Sequence, residues 1–577
     1  VRTLVHEYGG GDVTYHDGVV FFSNFADQRL YRQPLGEAPE PITPESDRPG
    51  AVRYADHDVA LDGRRLYCVR ETHGSKVVNE VVVLPTQVDG HVPFPIVVAT
   101  GHDFYAAPRL SRDGRVCWLT WDHPRMPWDG TELWVADLLN DGTAGEPELV
   151  AGGPEESILE PTWLADGTLL YISDRSGWWN WYGWRDSEVR PVAIGEAEFG
   201  YTPWLFGART LVPLPDGRLA CTWRSGGRQH LGLVASGSPM PAQLDLPFTW
   251  YGQRLDLASD GRLLAAAASP VAGFRVVAIN LDTGIVEAIS PEEEDPVARR
   301  YVSVAHAIEF PTAGGHTAHA LYYPPTNPDV TGPPGELPPL LVLSHGGPTS
   351  ATVPAFNRAV QYWTTRGLAV VDVNYGGSTG YGRSYRGRLE GRWGVVDVAD
   401  CINAARWLAD RQMVDRDRLA IRGGSAGGYT TLCALTFHDV FAAGASYFGV
   451  ADAEALARDT HKFEARYLDS LIGPYPEKAD IYRERSPINF TERLSAPMII
   501  FQGLEDEVVP PSQAEVMVAA LRERGLTFAY LPFEGEQHGF RRAENIVRAA
   551  EAEYAFYAHV LGFRPADPIE PIPLENA

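Results

Sequence analysis

Through roughly the first 300 residues, short apolar, strand-like runs each follow the same turn signal. An Asp-Gly pair precedes VVFFS at Asp17-Gly18, RRLYCVR at Asp62-Gly63 and RVCWLT at Asp113-Gly114. It returns before TLLYIS at Asp166-Gly167, RLACTW at Asp216-Gly217 and RLLAAAAS at Asp260-Gly261. The six signals lie 44 to 53 residues apart. Asp-Gly supplies the positive φ angles of a two-residue hairpin turn, and the flanking runs are rich in β-formers. A hairpin repeat of about 40 to 50 residues is the period of a β-propeller blade. Six repeats are countable, and the chain opens at Val1 in strand-like sequence without a methionine. Rings of six, seven or eight blades stay open; about seven, with an incomplete first blade, is the expectation.

After about Tyr301 the pattern changes. Short apolar runs at Leu340–Leu343, Leu368–Val373, Leu419–Ile421, Pro497–Phe501 and Phe528–Leu531 alternate with stretches whose apolar residues recur every three to four positions. Those stretches include VVDVADCINAARWLAD, SQAEVMVAALRER and a final helix from about Ala543 to Leu561. Buried strands separated by helices predict a mostly parallel, doubly wound sheet. The expected organisation is a β-propeller over 1–300, an α/β-hydrolase domain over 301–563 and a loosely held Pro-rich tail over 564–577.

Composition narrows the class without touching the chemistry. The chain has 577 residues, 44% hydrophobic and 21% charged, with 49 basic against 75 acidic side chains and a formal charge of −26. That field repels phosphate backbones and anionic lipid, so neither nucleic acid nor membrane is an expected partner. No run approaches 18 apolar residues. The cysteines, Cys68, Cys117, Cys221, Cys401 and Cys433, are odd in number and never spaced C-x-x-C, which suits reduced thiols in the cytoplasm. His6-Glu7 does not extend to H-E-x-x-H, and no dinucleotide fingerprint opens a βαβ unit. No metal and no cofactor is expected.

The candidate chemistry lies in LAIRGGSAGGYTTL, where Gly423-x-Ser425-x-Gly427 falls between a strand-like run and a helix-like one. That is the setting of a nucleophile elbow. A serine hydroxyl needs a general base oriented by a third group. Asp506 follows the strand MIIF, with Glu505 and Glu507 as competitors, and His538 follows the last strand in EGEQHGF. The order Ser, Asp, His is that of α/β-hydrolases. The N–H of Ala426 should form one side of an oxyanion hole. The segment His345-Gly346-Gly347-Pro348 offers a second N–H, from Gly346 or Gly347.

These features resemble the prolyl oligopeptidase family of serine peptidases, which join a propeller to an α/β-hydrolase domain. The likeness rests on HGGP at His345–Pro348, DVNYGGSTGYG at Asp372–Gly382, WGVVDVADC at Trp393–Cys401 and GGSAGGY at Gly423–Tyr429. The Gly503-x-x-Asp506 turn with Val509-Pro510 and the closing His538-Gly539 complete it. The resemblance implies Ser425 as nucleophile, Asp506 as orienting carboxylate and His538 as base. His345 stands where other branches carry an oxyanion tyrosine, and Ala426 follows the nucleophile; both are similar to the acylaminoacyl-peptidase and aminopeptidase branch. By position in the family pattern, Phe463 and Val509 should line the primary specificity pocket, with Phe448 a further candidate.

The function expected is therefore hydrolysis of amide bonds in small peptides or aminoacyl amides by an aminopeptidase-type enzyme. Acylaminoacyl peptidase, dipeptidyl peptidase, esterase and a non-catalytic binding propeller are the alternatives. An exopeptidase must hold the substrate's ammonium on a carboxylate; Glu155, Glu156, Glu196 and Glu198 are candidates. The run Trp178, Trp179, Trp181 and Trp184 suits either the cavity mouth or blade packing. Monomer and homo-oligomer both stay open.

Overall fold

Folding follows the repeat. The computed structural model describes all residues except 89, 91, 236–237, 292–296, 495 and 577. Its first half is six four-stranded antiparallel sheets spanning 13–41, 52–99, 104–152, 158–193, 211–243 and 250–288. In every sheet the Asp-Gly pair joins the first strand to the second, as Phe104–Leu110 to Arg115–Trp121. Only Asp17-Gly18 is a two-residue turn, with φ of 42° and 80° and His16 paired to Val19. At Asp113-Gly114 the Ser111 N–H reaches Arg115 O across three residues, and glycine alone has positive φ. In these longer turns aspartate acts through its side chain: Oδ1 of Asp62, Asp166, Asp216 and Asp260 accepts the N–H two residues on, at 2.9–3.1 Å.

The blade count is thereby corrected from about seven to six. Each Asp-Gly turn accounts for one sheet, and the first sheet already has four strands, ending in Glu40–Pro41. Strand-like sequence before Val13 suggests a further blade, but those residues form none. They run inward instead, where Gly10 bridges Phe206. Neighbouring sheets pack through alternate side chains: Phe21 and Leu30 share a core with Leu66 and Val82, and Val69 and Val81 share one with Val116 and Trp118.

The second half is a nine-stranded sheet: β1 (His306–Pro311), β2 (Thr317–Tyr323), β3 (Leu340–Ser344), β4 (Ala369–Asn374), β5 (Leu419–Gly424), β6 (Ala443–Tyr447), β7 (Met498–Gly503), β8 (Phe528–Phe533) and β9 (Leu574–Glu575). Their order is β1-β2-β4-β3-β5-β6-β7-β8-β9, parallel from β4 through β8. The helices used below are α1 (Arg358–Thr364), α2 (Val396–Asp410), α3 (Ala426–Phe437), α4 (Pro511–Arg524) and α5 (Ala543–Leu561). Successive β3 residues serve opposite faces. Leu340 and Val342 join the core of α2 and α3, with Ala405 and Leu432, while Leu341 joins Trp363 of α1 and Phe556 of α5. Burying each such side chain contributes about 1.5–3 kcal/mol.

The first of these cores continues into the propeller, taking in Trp128, Trp179 and Trp181. The tryptophan run thus resolves as packing: Trp179 and Trp181 are fully buried, and Arg386 of the second domain lies over Trp179 at 4.2 Å. Arg383 and Arg386 also converge on the buried Asp174 of the propeller. The tail is less loose than its proline content suggests, because β9 pairs with β8 and Arg522 bonds Glu575.

Candidate active site

The site forms where β5 gives way to α3. Ser425 sits between them at φ 55° and ψ −120°, a conformation that costs a non-glycine residue of order 1–3 kcal/mol. Its N–H bonds Tyr447 O at 3.0 Å. The neighbouring glycines are required for space: a Cβ on Gly427 would lie 2.1 Å from Ser344 O, and one on Gly423 2.3 Å from the Gly427 carbonyl. The turn thrusts Ser425 off the sheet while β3 passes close behind.

Asp506 lies past the end of β7 and is 3% exposed, whereas Glu505 and Glu507 face solvent. Its Oδ1 accepts the N–H groups of Val508 and Val509 at 2.9 and 2.8 Å. Its Oδ2 lies 2.8 Å from Nδ1 of His538. The histidine stands on the loop after β8, held from below by buried Glu536, which accepts the N–H groups of Arg541 and Arg542. The Phe448 ring packs 4.7 Å from the imidazole and also borders Gly424, so it walls the space between histidine and elbow. Among the described residues, neither Ser425 Oγ nor His538 Nε2 has a hydrogen-bond partner, which leaves both atoms available to a substrate.

Two N–H groups border the same point. Ala426 opens α3, so its N–H has no intrahelical partner. The His345–Pro348 loop backs onto the elbow, with the Gly346 Cβ position 3.8 Å from Ser425 Cβ. Neither Gly346 nor Gly347 donates its N–H to another described residue. The loop is fixed by its histidine. Burial lowers the His345 pKa to about 4, so the ring is neutral. Nδ1 lies 2.8 Å from Gly346 O, an obligate acceptor, and must donate; Nε2 then accepts from Ser378 at 2.7 Å. Tyr375 stacks on the ring and donates to His345 O at 3.0 Å. The other motif residues are scaffold. Asp397 accepts the Gly394 N–H and the Thr430 hydroxyl, with burial pushing its carboxyl up to about 6, and Asp400 accepts the Gly376 N–H.

Beside Ser425 opens a cavity with apolar walls that include Trp393, Val450, Leu456, Leu468, Val508 and Val509. Val509 is one of these walls. Phe463 is corrected: its ring is 2% exposed and packs on His6 at 5.1 Å and Phe104 at 5.7 Å, away from that cavity. Lys462–Glu464 is a single 3-10 turn, which sends adjacent side chains in different directions, and Glu464 lines the cavity in its place. Glu464, Thr460 and Tyr467 belong to the lining and carry no motif signal. Of the propeller carboxylates, Glu155 and Glu196 are exposed, Glu156 bonds Ser173 and Arg175, and Glu198 accepts the N–H groups of Trp179 and Gly382; none lines this cavity. Glu7, Glu71 and His73 cluster within 4.8 Å, with Arg53 bonded to both glutamates.

A strained serine at a strand-to-helix turn, flanked by free N–H groups and by a histidine seated on a buried carboxylate, defines the serine hydrolase class. Comparison with known proteins carries this further. The prolyl oligopeptidase family profile matches residues 354–564. A puromycin-hydrolyzing peptidase from Mycobacterium tuberculosis superposes with a TM-score of 0.94 at 41% identity, over 100% of this chain and 90% of that one. A puromycin hydrolase gives 0.94 at 40% identity, over 99% and 89%. The chain belongs to the prolyl oligopeptidase family of serine peptidases. Dipeptidyl aminopeptidase BIII of Pseudoxanthomonas mexicana is 32% identical over 237 residues, and that match spans 40% of this chain and only 34% of the relative.

Proposed function

We propose that this chain is an aminopeptidase-type serine exopeptidase acting on small peptides or aminoacyl amides. Ser425 Oγ attacks the carbonyl of the substrate's N-terminal residue, and His538 Nε2 takes the hydroxyl proton while Asp506 holds the ring by Nδ1. The N–H groups of Ala426 and Gly346 stabilise the oxyanion. The C–N bond then breaks as His538 protonates the leaving amine. Water, deprotonated by His538, attacks the ester and frees Ser425.

The observation that carries the reading is the His538–Asp506 pair beside a strained Ser425 that opens onto one apolar cavity. The cavity's walls all come from residues 347–509, and the propeller packs against the same domain, which favours short substrates over folded proteins. Whole-chain likeness to puromycin-hydrolysing enzymes, one of them named a peptidase, supports the same reading. Five buried, unpaired cysteines support a reducing compartment, the cytoplasm. Among the described residues no helix is long and apolar enough to cross a membrane.

A matched set of chromogenic amides tests this: free against N-acetylated, one residue against two or three, alanine against proline. Preference for single free aminoacyl amides supports the reading. Preference for acetylated substrates would make the chain an acylaminoacyl peptidase, and cleavage within long unstructured peptides would contradict an exopeptidase.

A further inference from the structure

Resting on the exopeptidase reading above, we infer that Glu464, positioned by Tyr8, is the subsite that binds the substrate's free α-ammonium. The ammonium nitrogen is one carbon removed from the carbonyl that Ser425 attacks, and the side chain on that carbon enters the cavity beside the serine. The ammonium must therefore meet a wall of the same cavity. Among the described residues lining it, Glu464 is the only acidic one, and no lysine or arginine lines it.

The Glu464 side chain is 13% exposed, yet among the described residues it has no Lys or Arg partner. Asp174, by contrast, has Arg383 and Arg386, and Asp56 has Arg109, whereas Asp397 is satisfied by the Gly394 N–H and the Thr430 hydroxyl. Oε1 accepts the Tyr8 hydroxyl at 2.6 Å, and Oε2 lies 3.7 Å from His461 Nε2, beyond hydrogen-bond reach. Burial and the Glu464 charge push the Tyr8 phenol well above its ordinary pKa, so it stays a donor and fixes the carboxylate's orientation. The Thr460 hydroxyl, also in the lining, is buried without a hydrogen-bond partner and adds an acceptor. This mostly buried carboxylate has one neutral donor on Oε1 and no hydrogen bond on Oε2, which leaves room for a cation. A substrate ammonium supplies one, at the place an aminopeptidase needs it.

Tyr8 precedes the first blade, so the subsite spans both domains: the N-terminal segment tunes a group whose neighbours line the hydrolase cavity. Glu464 is a binding residue in this account and Tyr8 a positioning one.

The test compares phenylalanine p-nitroanilide with 3-phenylpropanoyl p-nitroanilide, which lacks only the amine. In Glu464→Gln the ratio of their kcat/KM values falls about 10- to 100-fold, the range of a hydrogen bond to a charged group. In the wild type, KM for the amine substrate rises above pH of about 8 as the ammonium deprotonates, and Glu464→Gln loses that rise. Tyr8→Phe shifts the ratio in the same direction by a smaller factor. In the wild type, phenethylamine competes with substrate at least tenfold better than phenethyl alcohol. A wild type that prefers the amine substrate, with a ratio unchanged in Glu464→Gln or no preference for phenethylamine, overturns the Glu464 assignment and leaves the exopeptidase reading intact. A wild type indifferent to the amine overturns both.

Discussion

Asp506 and His538 are joined at 2.8 Å, Oδ2 to Nδ1, while the other oxygen of Asp506 is held by the backbone N–H groups of Val508 and Val509. The carboxylate is thus fixed before it meets the imidazole, and it dictates the tautomer that leaves Nε2 free to act as a base. Asp506→Asn keeps the shape and loses that control. We expect kcat to fall about 10³- to 10⁴-fold, with Glu505→Gln and Glu507→Gln within about twofold of the wild type. Steady-state kinetics on a free aminoacyl amide decides it; a mild Asp506→Asn phenotype would count against the pairing.

The elbow makes a steric prediction. Gly427→Ala places a Cβ 2.1 Å from the Ser344 carbonyl oxygen, a backbone atom with no freedom to retreat. Activity should fall more than about 100-fold, through displacement of Ser425 or loss of the fold. Circular dichroism with an activity assay separates the two outcomes, and an active, stable variant would show that the turn is looser than described.

How far was this legible in the chain itself? The candidate residues Ser425, Asp506 and His538 are legible because each follows a recognisable buried strand, and the parallel sheet orders those strand ends in space. The six Asp-Gly signals counted the blades correctly; only the strand-like residues before Val13 misled, because they turn inward to contact the second domain. Phe463 and Glu464 differ by one position, and the direction of a side chain on a short 3-10 turn is set by packing that no local pattern records. Tyr8 and Glu464 are 456 residues apart, so their contact exists only through the packing of the chain's two halves.

Stability should decline on acidification. Burial lowers the pKa values of His6, His57 and His345 to about 4, below the roughly 6.5 of an unfolded histidine. The unfolded chain therefore binds more protons between those values, so their contribution is complete above pH of about 6.5 and disappears as pH falls towards 4. Urea midpoints measured from pH 7.5 to 4.5 should drop steadily; a flat profile would contradict neutral buried rings.

The interface between the domains rests on Asp174, whose side chain is fully buried and serves both Arg383 and Arg386. Asp174→Ala leaves the Arg386 guanidinium, 6% exposed, without its carboxylate. Breaking a buried pair in this way costs about 3–5 kcal/mol. Urea unfolding should show the loss, and a change below about 0.5 kcal/mol would place the interface's strength in its apolar contacts alone.

The proposed mechanism makes Ser425 the residue acylated during turnover. The direct test is labelling with a fluorophosphonate, digestion, and mass spectrometry of the modified peptide. One adduct is expected, on Ser425, absent from Ser425→Ala and slowed by a competing aminoacyl amide. An adduct on another serine, or labelling that persists in Ser425→Ala, would contradict it.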